Sequence, residues 1–299
     1  MKLEDLVDKA TQYGKQTIAV AQAGDEEVLR AVREGLRRHL AHFYLIGDEQ
    51  EIKAKAEWVE LEVDHLQVVH ESSSGQAARR AVQLVKEGKA NALMKGLVPT
   101  ADLLKAVLDK ESGLKRSRLL SHVAAFEVPG YERLIFVTDP AMNIAPDLKQ
   151  KGEIIQNAVQ VARAAGVERP KVAVLAPVEV VNPAMQSTLD AASLTVMASR
   201  GQITDCEVEG PLALDNAVSV EAAQHKGIKS PVAGKADILL VPNIETGNVL
   251  YKSLVYFARA KVGAVVVGAE VPVILTSRAD SMEDKLYSIA LAACVTHMN

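Results

Sequence analysis

The chain has 299 residues and 32.1 kDa, enough for one large domain or two modest ones. Its 34 Lys and Arg against 38 Asp and Glu leave a net charge of −4, with no concentrated basic surface for nucleic acid, and four Phe, six Tyr and one Trp are too few for a base-stacking platform. Two cysteines make neither a disulfide framework nor a cysteine-rich zinc site, the charged amino end lacks the apolar core of a signal peptide, and the most apolar stretch, residues 262–275, is too short to span a bilayer; the expectation is a cytoplasmic protein that contacts neither membrane nor nucleic acid.

Short β-rich runs alternate with stretches of helical periodicity. Residues 17–21 (TIAVA) read as a buried strand. After Gly24 and Asp25, the residues Val28, Leu29, Val32, Leu36 and Leu40 recur on one helical face. Residues 43–46 form the next strand, closed by Gly47 and Asp48. The beat returns at 66–69 and 90–94, with a helix between them over about 74–88. Further strands are expected at 134–138, 171–175, 238–241, 264–267 and 273–275. Near-continuous apolar strands separated by helices indicate an α/β class, with parallel sheet covered on both faces. The polar stretch 108–118, with Gly113, is a hinge candidate, and the strand near Val273 is expected to return to the first sheet. That divides the chain into a discontinuous α/β domain, residues 1–117 plus 265–299, and a second α/β domain, 118–264.

No Walker A, GxGxxG, HExxH or GxSxG pattern occurs. The seven histidines are dispersed. His39 and His42, the two that lie close together, read as solvated surface on an Arg-rich helix, and no metal site is indicated.

The chemistry gathers where strands end, because open α/β sheets place their ligands at the carboxyl ends of strands. The strand at 273–275 runs into Thr276, Ser277 and Arg278, followed by Ser281 and Asp284. An arginine fork suits phosphate; equally, Ser281 and Asp284 fit a capping box, with Arg278 a surface ion-pair partner. The strand ending at Met94 leads to Lys95, a Gly and Pro turn, and Thr100 at a helix start. This is either an anion site or an ordinary N-cap. Asp139 and Asn143 follow another strand, and Asn248, Tyr251 and Lys252 follow a third; each group is either a ligand contact or only a loop. Four polar strand ends favour one shared cleft over four independent loops.

The stretches MKGLVPTADLL, FVTDPAMNIAP, EGPLALDNAVS, SPVAGKADILLVPNIETGNVLYKSL and PVILTSRADSMED together resemble the phosphate acetyl/butyryltransferase family, in one order over nearly the whole chain. The resemblance implies a two-domain fold like that of the isocitrate and isopropylmalate dehydrogenases, parallel-rich sheets covered by helices, an active site in the interdomain cleft, and a homo-oligomer built on dimers. It also implies the reaction acyl-CoA plus phosphate giving acyl phosphate plus CoA, with no tightly bound cofactor. The family pairs a Ser-Arg with an Asp seven residues after the Ser, here Ser277, Arg278 and Asp284. Its Thr-Ala/Gly-Asp turn matches Thr100, Ala101 and Asp102. Where acetyltransferases carry an Arg three residues further on, this chain has Lys105, and a second Arg has no counterpart; both departures favour the butyryl branch.

The implied mechanism is direct transfer in a ternary complex. Asp284 takes the thiol proton, Ser277 and Arg278 stabilise the oxyanion and phosphate, and Lys95, Thr100, Asp139, Asn143, Asn248, Tyr251 and Lys252 bind substrates. The alternatives are acetyl transfer, an acylated Ser277, a fold-related dehydrogenase, and a non-catalytic acyl-CoA-binding regulator.

Overall fold

The computed structural model describes residues 1–14, 16–63, 66–114, 119–276 and 280–298. It opens with α1 (Leu3–Gln12), whose Leu3, Leu6, Val7 and Ala10 recur at helical spacing and are buried. β1 (Gln16–Ala21) leads into α2 (Glu26–Arg37), started by the Asp25 carboxylate accepting from the Val28 N–H. β2 (Ala41–Gly47), α3 (Glu49–Trp58), β3 (Gln67–His70), α4 (Ser74–Lys86), β4 (Ala92–Lys95) and α5 (Thr100–Val107) continue the alternation. Then come β5 (Ser121–Glu127), β6 (Ile135–Thr138) and the long α6 (Leu148–Ala165). A capping box of Asp147 and Gln150 begins α6, and Gly166 at φ 117° ends it, in the left-handed region that glycine enters without strain.

β7 (Lys171–Leu175), α7 (Gln186–Ser199), β8 (Glu207–Leu212), the short α8 (Leu214–Val218) and α9 (Val220–His225), β9 (Ile238–Leu240) and α10 (Ile244–Tyr256) follow. The chain closes through β10 (Lys261–Val267), β11 (Val273–Ile274) and α11 (Met282–Met298).

Two compact units result: Leu3–Arg118 with Val262–Asn299, and Leu119–Lys261 with Met1–Lys2. In the first, the strand order is β3-β2-β1-β4-β11-β10, parallel as far as β11, with β10 antiparallel to it. The helix α11 is buried from Lys285 to Val295 and packs on α1 and α2. In the second, the order is β5-β6-β9-β7-β8, with β5 antiparallel to β6 and the rest parallel. The α/β class expected from the sequence is the class observed.

Two strands were not expected. β8 contains Gly210 and Pro211, which weaken a strand assignment, but it is the last strand in its order, where a missing N–H is tolerated. β5 begins with Ser121 and His122 yet is buried along nearly its whole length. One local expectation is corrected: α2 ends at Arg37, so His39 sits in the turn beyond it at φ 58° and His42 lies exposed on β2. No helix among the described residues is long and apolar enough to cross a membrane.

Candidate active site

In the unit built from Leu3–Arg118 and Val262–Asn299, β1, β4 and β11 run parallel, so their carboxyl ends form one rim. Lys95 is buried there, its Nζ donating to the Gly96 carbonyl at 3.2 Å, and the Thr276 hydroxyl donates to the Lys95 carbonyl at 3.4 Å. The N–H groups of Gly96 and Leu97 donate to the carbonyls of Ala21 and Gln22 at 2.9 and 2.8 Å. A Cβ on Gly96 would lie 2.1 Å from the Gln22 carbonyl oxygen, so the turn after β4 admits only glycine. Gly96→Ala is therefore expected to cost about 1–3 kcal/mol of stability. The cost would be read as a lower urea midpoint at unchanged slope; an unmoved midpoint would contradict the close approach.

Thr100 is the first residue of α5 and not its cap. Pro99 holds the cap position and offers no side-chain acceptor, which corrects the ordinary N-cap alternative. Asp284 is the third residue of α11 and closes a capping box. The Ser281 hydroxyl accepts from the Asp284 N–H at 3.1 Å, and the Asp284 carboxylate accepts from the Ser281 N–H at 3.3 Å and from its hydroxyl at 2.6 Å. Its other oxygen accepts from the Val262 N–H at 3.0 Å. A carboxylate has about four lone-pair sites, so acceptor capacity remains. Ser277 and Arg278 lie outside the described residues.

In the unit built on Leu119–Lys261, β6, β9 and β7 are parallel and their carboxyl ends again share a rim. Asp139 is buried and spends its carboxylate on its own turn. One oxygen accepts from the N–H groups of Ala141 and Met142 at 3.0 and 2.9 Å; the other accepts from the Asn143 N–H at 3.2 Å and its side-chain amide at 2.5 Å. That amide also donates to the Leu120 carbonyl at 2.9 Å. Asp139 and Asn143 thus build the turn.

α10 is seated on this turn: a Cβ on Gly247 would come within 2.7 Å of Pro140 Cα and 2.9 Å of the Asp139 carbonyl oxygen. One helical turn on, the Tyr251 ring stands edge-on to His122 (6.2 Å between centroids, 64°) and Phe126 (5.1 Å, 75°). Asn248 and Lys252 are exposed. On another face of α10, Val249 and Leu250 line a groove of about 660 Å³ with Leu175, Pro177, Leu214 and Pro242. That groove opens at the ends of β7 and β9, and its walls are mainly aliphatic, with Glu245, Thr246 and Ser253 also lining it. Among the described residues, no group of three or more His, Cys, Asp and Glu side chains is arranged to hold a metal ion.

The family described as Phosphate acetyl/butaryl transferase matches residues 2–80 and 71–293. The chain belongs to that family. It is 53% identical over 296 residues to a "Probable phosphate butyryltransferase" of Bacillus subtilis (strain 168), covering 99% of this chain and 98% of that protein. It is 50% identical over 296 residues to a "Phosphate butyryltransferase" of Clostridium beijerinckii, with the same coverage. Its fold matches the crystal structure of a branched-chain phosphotransacylase from Enterococcus faecalis V583 at a TM-score of 0.83 and 39% identity, over 94% of this chain and 99% of that one.

Lys105, the residue expected to depart from the acetyltransferase pattern, lies in α5. Here it lines a small polar pocket of about 130 Å³ with Arg79, Asp102 and Asp109. Two rim residues escaped the sequence reasoning. Gln22, directly after β1, has φ 59° and a buried Oε1 without a hydrogen-bond partner among the described residues. His122, on β5, is 6% exposed with a buried Nδ1 that also has no partner among those residues. Burial pushes its imidazole below the ordinary 6.5, while the nearby Asp139 carboxylate acts in the opposite direction. The position of Gln22 at a strand end was a usable signal; nothing in the sequence marked His122.

Proposed function

We propose that the protein interconverts a short-chain acyl-CoA and phosphate with an acyl phosphate and CoA, butyryl-CoA being the preferred substrate. The observation that carries this is the end-to-end similarity to phosphate butyryltransferases, at 50–53% identity over 296 residues. It acts in the cytoplasm as a homo-oligomer built on dimers, on small-molecule substrates, without a tightly bound cofactor.

In the direction that consumes acyl phosphate, Asp284 accepts the CoA thiol proton. The thiolate attacks the acyl carbonyl carbon, and the tetrahedral intermediate collapses with loss of phosphate. Ser277 donates a hydrogen bond to the oxyanion or the departing phosphate, and Arg278 holds phosphate or carbonyl oxygen. Lys95 and Thr100, at the end of β4 and the uncapped start of α5, contribute positive potential for the anionic substrates. Asp139 and Asn143 act by presenting the turn they build. Asn248, Tyr251 and Lys252 contact substrate from α10. Both substrates bind together, so no acyl-enzyme forms.

The aliphatic groove beside α10 supports a thioester substrate, because a chain rich in methylene groups leaves few polar atoms unpaired there. Leu250→Ala is expected to raise KM for butyryl-CoA about tenfold, the loss of part of one buried leucine, while KM for phosphate stays within about twofold. Equal changes in both constants would argue against the groove. The function itself is tested by following thiol release from acetyl-, propionyl-, butyryl- and isobutyryl-CoA with and without phosphate. Phosphate-dependent release, fastest with a four-carbon chain, supports the assignment; thioesters left intact by the purified protein, with phosphate present, would sink it.

A further inference from the structure

His122 is an expensive residue to keep where it stands. It lies on β5 with Phe126 four residues on, and both meet the Tyr251 ring of α10 from below. Its carbonyl accepts the Thr138 hydroxyl at 2.9 Å, which ties β5 to the residue preceding Asp139. Its side chain is buried, and Nδ1 has no hydrogen-bond partner among the described residues. Such an atom has lost its water and gained nothing in exchange. A phenylalanine would fill the same space between Tyr251 and the sheet without that penalty. An imidazole retained at a cost, at the strand ends where the proposed site lies, is explained if its polarity is used when substrate is present.

We propose that His122 is a positioning residue for acyl transfer: its ring holds Tyr251 edge-on at the strand ends, and its Nδ1 is a hydrogen-bonding site satisfied when the rim is occupied. The inference rests on the transfer function argued above. The titratable groups that face His122 are Asp139, from the end of β6, and Tyr251, from α10. Asp139 is fully engaged by its own turn, so its charge reaches His122 through space and not through a shared hydrogen bond. Burial favours the neutral form. Protonation places a cation against the edge of the Tyr251 packing and is expected to loosen it.

The test uses the full-length protein with His122→Phe and His122→Asn. Asparagine puts a polar group near the position of Nδ1 and cannot be protonated. Phosphate-dependent CoA release from butyryl-CoA is measured from pH 5.5 to 8.5, together with thermal melting. The expected result is a kcat about 10²-fold lower in His122→Phe, the scale of a misplaced reacting group, with the melting temperature unchanged or raised by a few degrees. His122→Asn is expected to recover about tenfold of that loss, with KM for butyryl-CoA within about twofold of the wild type in both variants. The pH dependence is read in the melting temperature: the unfolded imidazole takes up a proton near 6.5 and the folded one resists, so the wild type loses stability as pH falls below that value and both variants lack that loss.

A His122→Phe protein with wild-type kcat would overturn the inference. So would a His122→Asn protein no better than the phenylalanine variant. If His122→Phe does not fold, His122→Asn decides alone: a kcat about tenfold below the wild type at unchanged KM supports the inference, and a wild-type kcat overturns it. A wild type that releases no CoA from any acyl-CoA ends the transfer assignment and this inference together, whereas normal wild-type turnover with unaffected variants ends this inference only.

Discussion

Asp284→Asn is expected to yield a folded protein whose phosphate-dependent CoA release is slowed about 10²–10⁴-fold, the contribution of a positioned general base. The substitution separates two roles that one carboxylate performs. Asparagine keeps one acceptor oxygen, enough for either the Val262 N–H or the Ser281 contacts but not for both, so the protein folds with a modest loss of stability at the start of α11. What it loses is the capacity to take a thiol proton. Asp284→Ala loses both roles and is expected to be less stable as well, by about 1–2 kcal/mol for the cap, with a further cost for the orphaned Val262 N–H. Turnover and thermal melting on the three proteins separate the cases. Near-wild-type turnover in Asp284→Asn would leave Asp284 as a helix cap and nothing more.

The second large effect is expected at Ser277 and Arg278. Ser277→Ala and Arg278→Ala are each expected to lower kcat by about 10²–10³-fold, as removal of a preorganised donor to developing charge does. Arg278→Lys is expected to recover only a small part of the loss, because an ammonium preserves the charge but not the planar two-donor fork. The expectation rests on the family spacing of Ser277, Arg278 and Asp284 and on the described residues that flank them. On one side, Thr276 is buried and bound to the Lys95 carbonyl; on the other, the buried Lys285 donates to the Asp280 carbonyl at 2.5 Å. Unchanged kcat in both alanine variants would remove the Ser-Arg pair from the site.

The elements that were legible in the sequence share a physical cause. β1 and β7 are short apolar runs bounded by turn residues, and α2 and α4 carry a buried stripe with an Asp or Ser at the cap; pattern and structure agree there within a residue or two. β8 was missed because Gly210 and Pro211 are poor strand formers unless the strand is at an edge, and edges are decided by the whole sheet. The site divides in the same way. Lys95, Asp139 and Asn143 could be found because each follows a strand. That Asp139 turns inward and accepts from three N–H groups of its own turn could not be found, since it depends on the local path of the backbone. His122 was hidden for a further reason: its ring neighbour Tyr251 lies more than a hundred residues away in the chain.

The central claim is that phosphate, and not water or an enzyme side chain, receives the acyl group. The most direct measurement is phosphorus NMR of a reaction containing the protein, butyryl-CoA and inorganic phosphate, with thiol release followed in the same sample. The predicted result is one acyl phosphate formed for each CoA released, with no release when phosphate is omitted. CoA released without an acyl phosphate signal, or at the same rate in the absence of phosphate, would contradict it.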